Sequence, residues 1–250
     1  MRRTVQSYAG LTCRIVDAFP DDRRPSMLVV LCHGFGAPGN DLVSLAPALL
    51  GSSQRLALKC RFVFPEAPID LGHMGMPGGR AWWPINMARL AAMNQTHDFD
   101  ELTALRPDGM LAASEQLGAA LTEIQKESGA DDASTMIGGF SQGAMVSTDL
   151  VLRHQRVPAA LLLFSGTLLD RDDWSRLAAE HPGCHVLQSH ADDDPILPLS
   201  AAVSLHEMLQ QNGFTGDLIE FSGGHTIPHP ALQQLSLLLQ QKLSEQNPSS

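Results

Sequence analysis

A serine with a glycine two residues away on either side is the clearest chemical signal in this sequence. Gly139, Ser141 and Gly143 form the pattern G-x-S-x-G, which follows an apolar run and precedes an amphipathic stretch. In that context the serine occupies a sharp, strained turn that exposes its Oγ, and glycines avoid collisions in so tight a turn. The N–H groups of the following helix point toward developing negative charge. We therefore predict that Ser141 is a nucleophile; the alternative is a glycine-rich turn without catalysis.

The stretches around this motif alternate between strand-like and helix-like patterns. Apolar runs predict strands at residues 11–18, 27–32, 61–64, 134–139, 159–164, 185–189 and 217–221. Helical spacing of apolar residues predicts helices over residues 108–127, 143–154, 199–212 and 230–245. Such alternation predicts an α/β protein with a mostly parallel central sheet flanked by helices, in a single domain over residues 1–250. Residues 65–107 contain several prolines and no clear strand, and we expect them to form a loop-rich cover over the active site.

A serine needs an adjacent base to act as a nucleophile. Its position at a strand–turn–helix junction is typical of the α/β-hydrolase fold, in which an acid and then a histidine follow along the chain. The acid is expected after a late strand, where Asp192, Asp193 and Asp194 stand in a row. We favour Asp194, because the following Pro195 holds it in extended backbone. Asp192 and Asp193 fit a solvated loop or turn.

The histidine is expected after the last strand. His225 follows the strand predicted at residues 217–221 and a flexible Ser-Gly-Gly turn. His229 is the rival, but it stands between Pro228 and Pro230, further from the strand end. An acid beside His225 would hold the tautomer of the imidazole and stabilise the imidazolium.

Acyl transfer also needs donors for the oxyanion. In the α/β-hydrolase fold these are the N–H of the residue after the nucleophile, here Gln142, and an N–H from the loop after an early strand. Phe35, which lies between glycines in such a loop, is the expected second donor; one donor contributes about 3 kcal/mol to the transition state. Trp82, Trp83 and Met76 would suit an apolar acyl group if they are exposed, and the alternative is that they pack the core.

These residues together resemble the phospholipase/carboxylesterase family of α/β-hydrolases, which includes the acyl-protein thioesterases. The similarity rests on LCHGFGAPGNDLVSLAP, FPEAP, GGFSQGAM, HADDDPILP and GGHTIP, and it extends from about residue 28 to residue 225. The resemblance implies a triad of Ser141, Asp194 and His225, with oxyanion donors at Phe35 and Gln142. Ala144 and Ala191 replace glycines that are common in the family, and the segment from 71 to 107 is longer than usual.

Composition excludes several classes of protein. The formal net charge is -10 and no cluster of Lys and Arg is present, which argues against nucleic acid as a partner. No apolar run approaches the roughly 18 residues of a membrane-spanning helix, and we expect no integral membrane segment. Four widely spaced cysteines predict free thiols in a reducing cytoplasm, and a structural disulfide is the alternative: Cys13, Cys32, Cys60 and Cys184.

The sequence thus predicts a cytoplasmic carboxylesterase-type serine hydrolase that needs no metal or organic cofactor. Its expected substrate is a small carboxylic ester of short to medium acyl chain. An acyl thioesterase or lysophospholipase is the alternative within enzymes, because both would use the same triad. A catalytically inactive ligand-binding protein on the same scaffold is the alternative from another class. A homodimer is a further hypothesis.

Overall fold

A twisted sheet runs through the middle of the molecule. The computed structural model describes residues 1–20, 23–86, 88–90, 93 and 99–246. Within these residues the strands are β1 (Arg2–Tyr8), β2 (Leu11–Asp17), β3 (Met27–Cys32), β4 (Cys60–Pro65), β5 (Ile69–Asp70), β6 (Arg80–Ala81), β7 (Thr135–Phe140), β8 (Ala160–Phe164), β9 (Val186–Ala191) and β10 (Leu218–Phe221). β5 and β6 pair only with each other among them, and the other strands form the central sheet.

The order across the central sheet is β1-β2-β4-β3-β7-β8-β9-β10. β2 runs antiparallel to both β1 and β4, and every pairing from β4 to β10 is parallel. The predicted mostly parallel sheet is therefore confirmed. Because parallel strands end at the same edge, the loops after β3, β7, β9 and β10 converge there, where open α/β sheets bind their ligands.

Helices cover both faces of the sheet. The α-helices whose bounds lie within the described residues are α1 (Leu45–Ser52), α2 (Gln54–Lys59), α3 (Phe99–Ala104), α4 (Met110–Ser128), α5 (Gln142–Arg153), α6 (Arg171–Ala179), α7 (Leu199–Gln211) and α8 (His229–Glu245). One apolar cluster joins the sheet to α3–α7, and a second joins it to α1, α2 and α8.

Strand β3 shows how the sequence supplies both clusters. Side chains alternate between the faces of a strand, so Leu28, Val30 and Cys32 pack on the α3–α7 side and Met27, Val29 and Leu31 pack on the other side. All six are buried, which explains why the strand reads as a continuous apolar run. Trp82, Trp83 and Trp174 all belong to the α3–α7 side.

Every predicted strand and helix is present, with ends that differ by at most two residues. The prediction that residues 65–107 contain no strand was wrong, because β5 and β6 form a short antiparallel pair there. Helix α3 also falls inside that segment, and part of the predicted cover lies outside the described residues. The sequence reading further lacked β1, α1, α2 and α6. β1 is an edge strand whose first six side chains are all at least partly exposed, so it carries no apolar run.

Candidate active site

Ser141 stands alone between the end of β7 and the start of α5. Its backbone has φ 55° and ψ -120°, a strained conformation for a residue with a side chain. Its N–H donates to the Phe164 carbonyl at 2.8 Å. A Cβ at Gly139 or Gly143 would lie 2.1 or 2.0 Å from the Cys32 carbonyl oxygen, which explains both glycines. The turn therefore needs glycine on either side to bring β7 and α5 against the end of β3.

The loop after β3 lies directly against this turn. A Cβ at Gly34 would lie 3.3 Å from the Ser141 Cβ, so the backbone beside Phe35 passes next to the serine. Two hydrogen bonds join this loop to β6: the Gly36 N–H donates to the Arg80 carbonyl at 2.9 Å, and the Arg80 N–H donates to the Ala37 carbonyl at 3.1 Å. These two hydrogen bonds therefore hold the outer side of the loop in place without any help from a substrate.

Buried His33 fixes the beginning of the same loop. The Ala67 N–H donates to its Nε2 at 3.1 Å, so Nε2 carries no proton, and Nδ1 donates to the Gly34 carbonyl at 2.8 Å. Burial lowers the pKa of His33 and keeps the ring neutral, despite the hydrogen bond to Gly34. His33 thus acts as a spacer between the loops after β3 and β4.

The side chain of Gln142 connects the serine turn to the two tryptophans. Its Oε1 accepts from the Trp82 N–H at 2.9 Å, and its Nε2 donates to the Trp83 carbonyl at 2.8 Å. The Trp82 indole N–H in turn donates to the His33 carbonyl at 3.0 Å. Gln142 is fully buried, so each bond replaces one that water would otherwise make.

Asp194 and His225 meet where the loops after β9 and β10 approach each other. His225 Nδ1 donates to Asp194 Oδ2 at 2.6 Å, and the carboxylate side chain is fully buried. Oδ1 accepts from the N–H groups of Ile196 at 2.8 Å and Leu197 at 3.0 Å. Burial alone would raise the pKa of Asp194, but these hydrogen bonds outweigh it and hold the pKa below its usual range.

The two neighbouring acids make other contacts. Asp193 is exposed, and its Oδ1 accepts from the N–H groups of Gly223 and Gly224 at 2.9 and 2.8 Å, which lowers its pKa. Asp192 accepts from the Ser222 hydroxyl at 3.2 Å. The rival histidine, His229, begins α8 and faces a surface groove. The structure thus brings Asp194 and His225 together, uses Asp193 to hold the glycine turn, and leaves His229 apart.

The His225 ring also lies close to the serine turn. Its centroid is 4.7 Å from that of Phe140, the residue before Ser141. No hydrogen bond joins the Ser141 hydroxyl to the ring among the residues that the structure describes. Such bonds in active sites are often long before a substrate is bound and tighten in the complex.

A second histidine, which the sequence reading missed, lies beneath the acid. His190 is fully buried; its Nε2 lies 2.9 Å from the Leu197 carbonyl and 3.4 Å from Asp194 Oδ2. Because both neighbours are acceptors, Nε2 carries the proton. Burial lowers the pKa of His190 and keeps it neutral. His190 lies inside the buried strand β9, so no local sequence pattern distinguishes it from a core residue.

An apolar cavity of about 390 Å³ adjoins these elements. Met145, one turn after Ser141 in α5, and Leu197, which donates to Asp194, both line it. Other lining residues come from the loop-rich segment and the residue after it, and from the loop between β8 and α6: Trp83, Pro84, Ile85, Asn86, Arg89, Leu90, Met93, Leu102, Leu105, Arg106, Pro107, Asp108 and Leu169. The volume falls within the usual range of small-molecule sites.

The residues predicted to contact substrate lie in three different settings. Trp82 is 1% exposed and packs in the core, and Trp83 is 2% exposed and lines the cavity. Of the two alternatives that the sequence left open, packing in the core holds for both tryptophans. Met76 is at the surface, with its Sδ 3.6 Å from where a Cβ at Gly36 would lie. Hydrogen bonds to Gln142 and His33 hold the tryptophan pair in the interior. No local sequence pattern predicts these hydrogen bonds.

The described residues contain no reactive thiol, no metal site and no membrane-spanning helix. The cysteines are free, and burial raises the pKa of Cys13, Cys60 and Cys184 to about 12 and that of Cys32 further. Within the described ranges, no group of three or more His, Cys, Asp or Glu side chains is arranged to hold a metal ion. In the same part of the chain, no helix combines the length and apolar character needed to cross a membrane.

Comparisons of this chain with known proteins all point to the same family. Residues 18–243 match the family model described as phospholipase/carboxylesterase. Acyl-protein thioesterase 1 of Eremothecium gossypii is 25% identical over 224 residues, which is 88% of this chain and 89% of that protein. A probable carboxylesterase SOBER1-like of Arabidopsis thaliana is 25% identical over 237 residues, covering 92% and 84%. The crystal structure of esterase PE8 has a TM-score of 0.74 and 28% identity, covering 92% of this chain and 98% of that one.

The family match covers far more than half of the chain, and the strand order and flanking helices agree with it. The resemblance seen in the sequence motifs is thereby confirmed. The chain belongs to the phospholipase/carboxylesterase family of α/β-hydrolases and is a serine hydrolase of the esterase type.

Proposed function

We propose that this protein hydrolyses carboxylic esters through a triad of Ser141, His225 and Asp194. The observation that carries the proposal is the 2.6 Å hydrogen bond between His225 and a fully buried carboxylate, beside a serine held at φ 55°. A carboxylate in this position fixes which imidazole nitrogen carries the proton. The other nitrogen, Nε2, is then free to accept the proton of the serine.

The reaction proceeds in two halves. Ser141 Oγ attacks the acyl carbonyl while its proton passes to His225 Nε2, and a tetrahedral oxyanion forms. Collapse of that intermediate breaks the bond to the leaving oxygen, which takes the proton from His225, and an acyl-enzyme remains. Water then attacks the acyl-enzyme with His225 again as the base, and release of the carboxylic acid restores Ser141.

The N–H groups of Gln142 and Phe35 are the proposed oxyanion donors. Gln142 opens α5, so its N–H is one of those that the helix itself leaves without a partner. The close approach of Gly34 to Ser141 supports a donor from the neighbouring Phe35. Both segments are already fixed by hydrogen bonds, and preorganised donors of this kind contribute most to acyl transfer.

The acyl group is proposed to enter the 390 Å³ cavity beside Met145 and Leu197. Its lining is mainly apolar, which favours a hydrocarbon chain over a charged group. Trp83 contributes to the wall, whereas Trp82 supports it from the core. Met76 is proposed to contact the leaving group, because it lies at the surface beside the loop of Phe35.

A thioester substrate is the second candidate. The relatives named acyl-protein thioesterase 1 favour it, at 25% and 26% identity over most of the chain. The same triad serves both reactions, since the nucleophile and the oxyanion are common and the leaving atom alone changes from oxygen to sulfur. A lysophospholipase would use this chemistry on a larger leaving group.

Hydrolysis of p-nitrophenyl esters from acetate to long acyl chains, alongside matching acyl thioesters, tests the proposal. The parent is compared with Ser141→Ala and with the control Ser204→Ala, whose hydroxyl donates to the Ser200 carbonyl within α7. We expect turnover by the parent and the control, and its loss in Ser141→Ala. A folded parent that turns over neither series would favour the inactive binding protein. The ratio of the two rates assigns ester or thioester.

The remaining parts of the proposal concern the setting of the enzyme. We propose one domain over residues 1–250 with the segment 65–107 as its cover, a cytoplasmic location, and activity without a metal or organic cofactor. Strands from both ends of the chain share the central sheet, which supports a single unit. Activity after dialysis against a chelator tests the cofactor statement, and light scattering tests the homodimer.

A further inference from the structure

Ser165 has an unusual backbone for a residue that carries a side chain. It follows the last residue of β8 with φ 52°, and it is fully buried. Its N–H donates to the Ser189 carbonyl at 2.8 Å, so the pairing with β9 continues into this residue. Glycine adopts such a φ without strain. A serine at position 165 therefore points to a use for its hydroxyl.

The hydroxyl of Ser165 bonds to the loop that carries the proposed base. Its Oγ donates to the Thr226 carbonyl at 3.0 Å, one residue after His225. The residues before His225 are Gly223 and Gly224, with φ 148° and 71°, and they supply no stiffness of their own. Asp193 holds that side of the loop, but from an exposed position. The bond from Ser165, a buried residue, holds the other side.

We propose that Ser165 is a positioning residue for His225. By holding the Thr226 carbonyl at the end of β8, it keeps His225 Nδ1 toward Asp194 and Nε2 toward Ser141. The inference rests on the proposed function, because it assigns Ser165 to the same reaction. Misplacement of a reacting group by about 1 Å costs on the order of a hundredfold in rate.

Two substitutions separate the hydroxyl from the strain. Ser165→Ala removes the hydroxyl and keeps a Cβ at φ 52°, whereas Ser165→Gly removes the hydroxyl and the strain together. We expect both to lose about tenfold to a hundredfold in kcat with little change in KM. Ser165→Gly should melt at a higher temperature than Ser165→Ala. A purely structural role would instead make activity follow stability.

A matched control relieves the same strain elsewhere. Ala9 has φ 46° in the turn between β1 and β2, several strands from β8 across the sheet. Ala9→Gly should raise the melting temperature and leave kcat unchanged. A spectroscopic readout complements the kinetics: the Nδ1 proton of His225, hydrogen-bonded to Asp194, should give a downfield proton NMR signal in the parent. That signal should broaden or disappear in both Ser165 variants.

The outcomes are distinct. Parental kcat and an unchanged Nδ1 signal in Ser165→Gly would overturn the inference, even if Ser165→Ala failed to fold. A lower kcat with a weakened signal in a glycine variant at least as stable as the alanine variant would support it. Failure of the parent on every ester and thioester would refute the proposed function instead, and the NMR signal would still report whether Ser165 holds His225.

Discussion

Replacing Asp194 with asparagine keeps the size of the side chain and removes its negative charge. The amide oxygen of asparagine can still accept from the N–H groups of Ile196 and Leu197, which now bond to Oδ1. The amide nitrogen must then face His225 Nδ1, where Oδ2 accepts at 2.6 Å in the parent. Two donors cannot face each other, so the proton of the ring moves to Nε2, the nitrogen that has to accept from Ser141.

The size of the effect follows from this change of tautomer. In the serine-protease triad, which uses the same arrangement, the corresponding exchange lowers kcat by about 10⁴. A loss of that size corresponds to about 5 kcal/mol of transition-state stabilisation. Loss of the charge-assisted bond should also lower the free energy of unfolding by about 1.5–3 kcal/mol. The catalytic loss therefore exceeds what partial unfolding could cause.

Asp193→Asn is the matched control, because it makes the same chemical change one residue away. An amide oxygen at position 193 can still accept from the N–H groups of Gly223 and Gly224, so kcat should stay close to the parental value. Single-turnover hydrolysis of a p-nitrophenyl ester, with circular dichroism to verify folding, measures both variants. An Asp194→Asn enzyme that keeps more than about a tenth of the parental kcat would refute the tautomer argument.

Three further predictions follow from particular contacts. Gly143→Ala should abolish activity and lower the melting temperature, because its Cβ would lie 2.0 Å from the Cys32 carbonyl, whereas Gly51→Ala, with open space around it, should be tolerated. The folded pKa of Asp194 lies below the unfolded value of about 3.9. The stability that the Asp194 carboxylate contributes is therefore present above about pH 3.9 and is lost as pH falls through the folded pKa. Urea unfolding should show a steeper loss of stability on acidification in the parent than in Asp194→Asn. Iodoacetamide at about pH 8 should leave the native enzyme active and should label it only after unfolding. The reactive form is the thiolate, and burial raises the pKa of all four cysteines: Cys13, Cys32, Cys60 and Cys184.

Labelling of the native protein with loss of activity would contradict the raised pKa of the thiols. Equal sensitivity to acid in the parent and Asp194→Asn would contradict the linkage argument. Equal melting temperatures for Gly143→Ala and Gly51→Ala would show that the end of β3 can move away from α5.

The serine turn and the buried strands could be predicted because their causes are local. G-x-S-x-G reports a steric need that acts over a few residues, and Gly139 and Gly143 do meet the Cys32 carbonyl. Strand β3 is buried on both faces and therefore reads as an unbroken apolar run. The following Pro195 favours Asp194 among the three neighbouring acids, and the contact between Asp194 and His225 appears only in three dimensions.

The parts that the sequence did not predict depend on distant partners or on exposure. The exposed edge strand β1 has no apolar pattern, and α6 is short and polar apart from Trp174, Leu177, Ala178 and Ala179. Burial of Trp82 depends on hydrogen bonds to Gln142 and His33, which are far away along the chain. Ser165 lies outside the sequence motifs, and its backbone and burial reveal it. His190 opens the motif HADDDPILP, but only its burial beneath Asp194 shows where it acts.

The placement of the tryptophans has a consequence for how unfolding would be observed. All three tryptophans of the chain, Trp82, Trp83 and Trp174, belong to the apolar cluster on the α3–α7 side. Intrinsic fluorescence therefore reports on that layer, and the layer formed by α1, α2 and α8 has no tryptophan of its own. Detachment of α8 would change the circular dichroism while the emission stayed close to native. An emission curve alone would thus overestimate the cooperativity with which this enzyme unfolds.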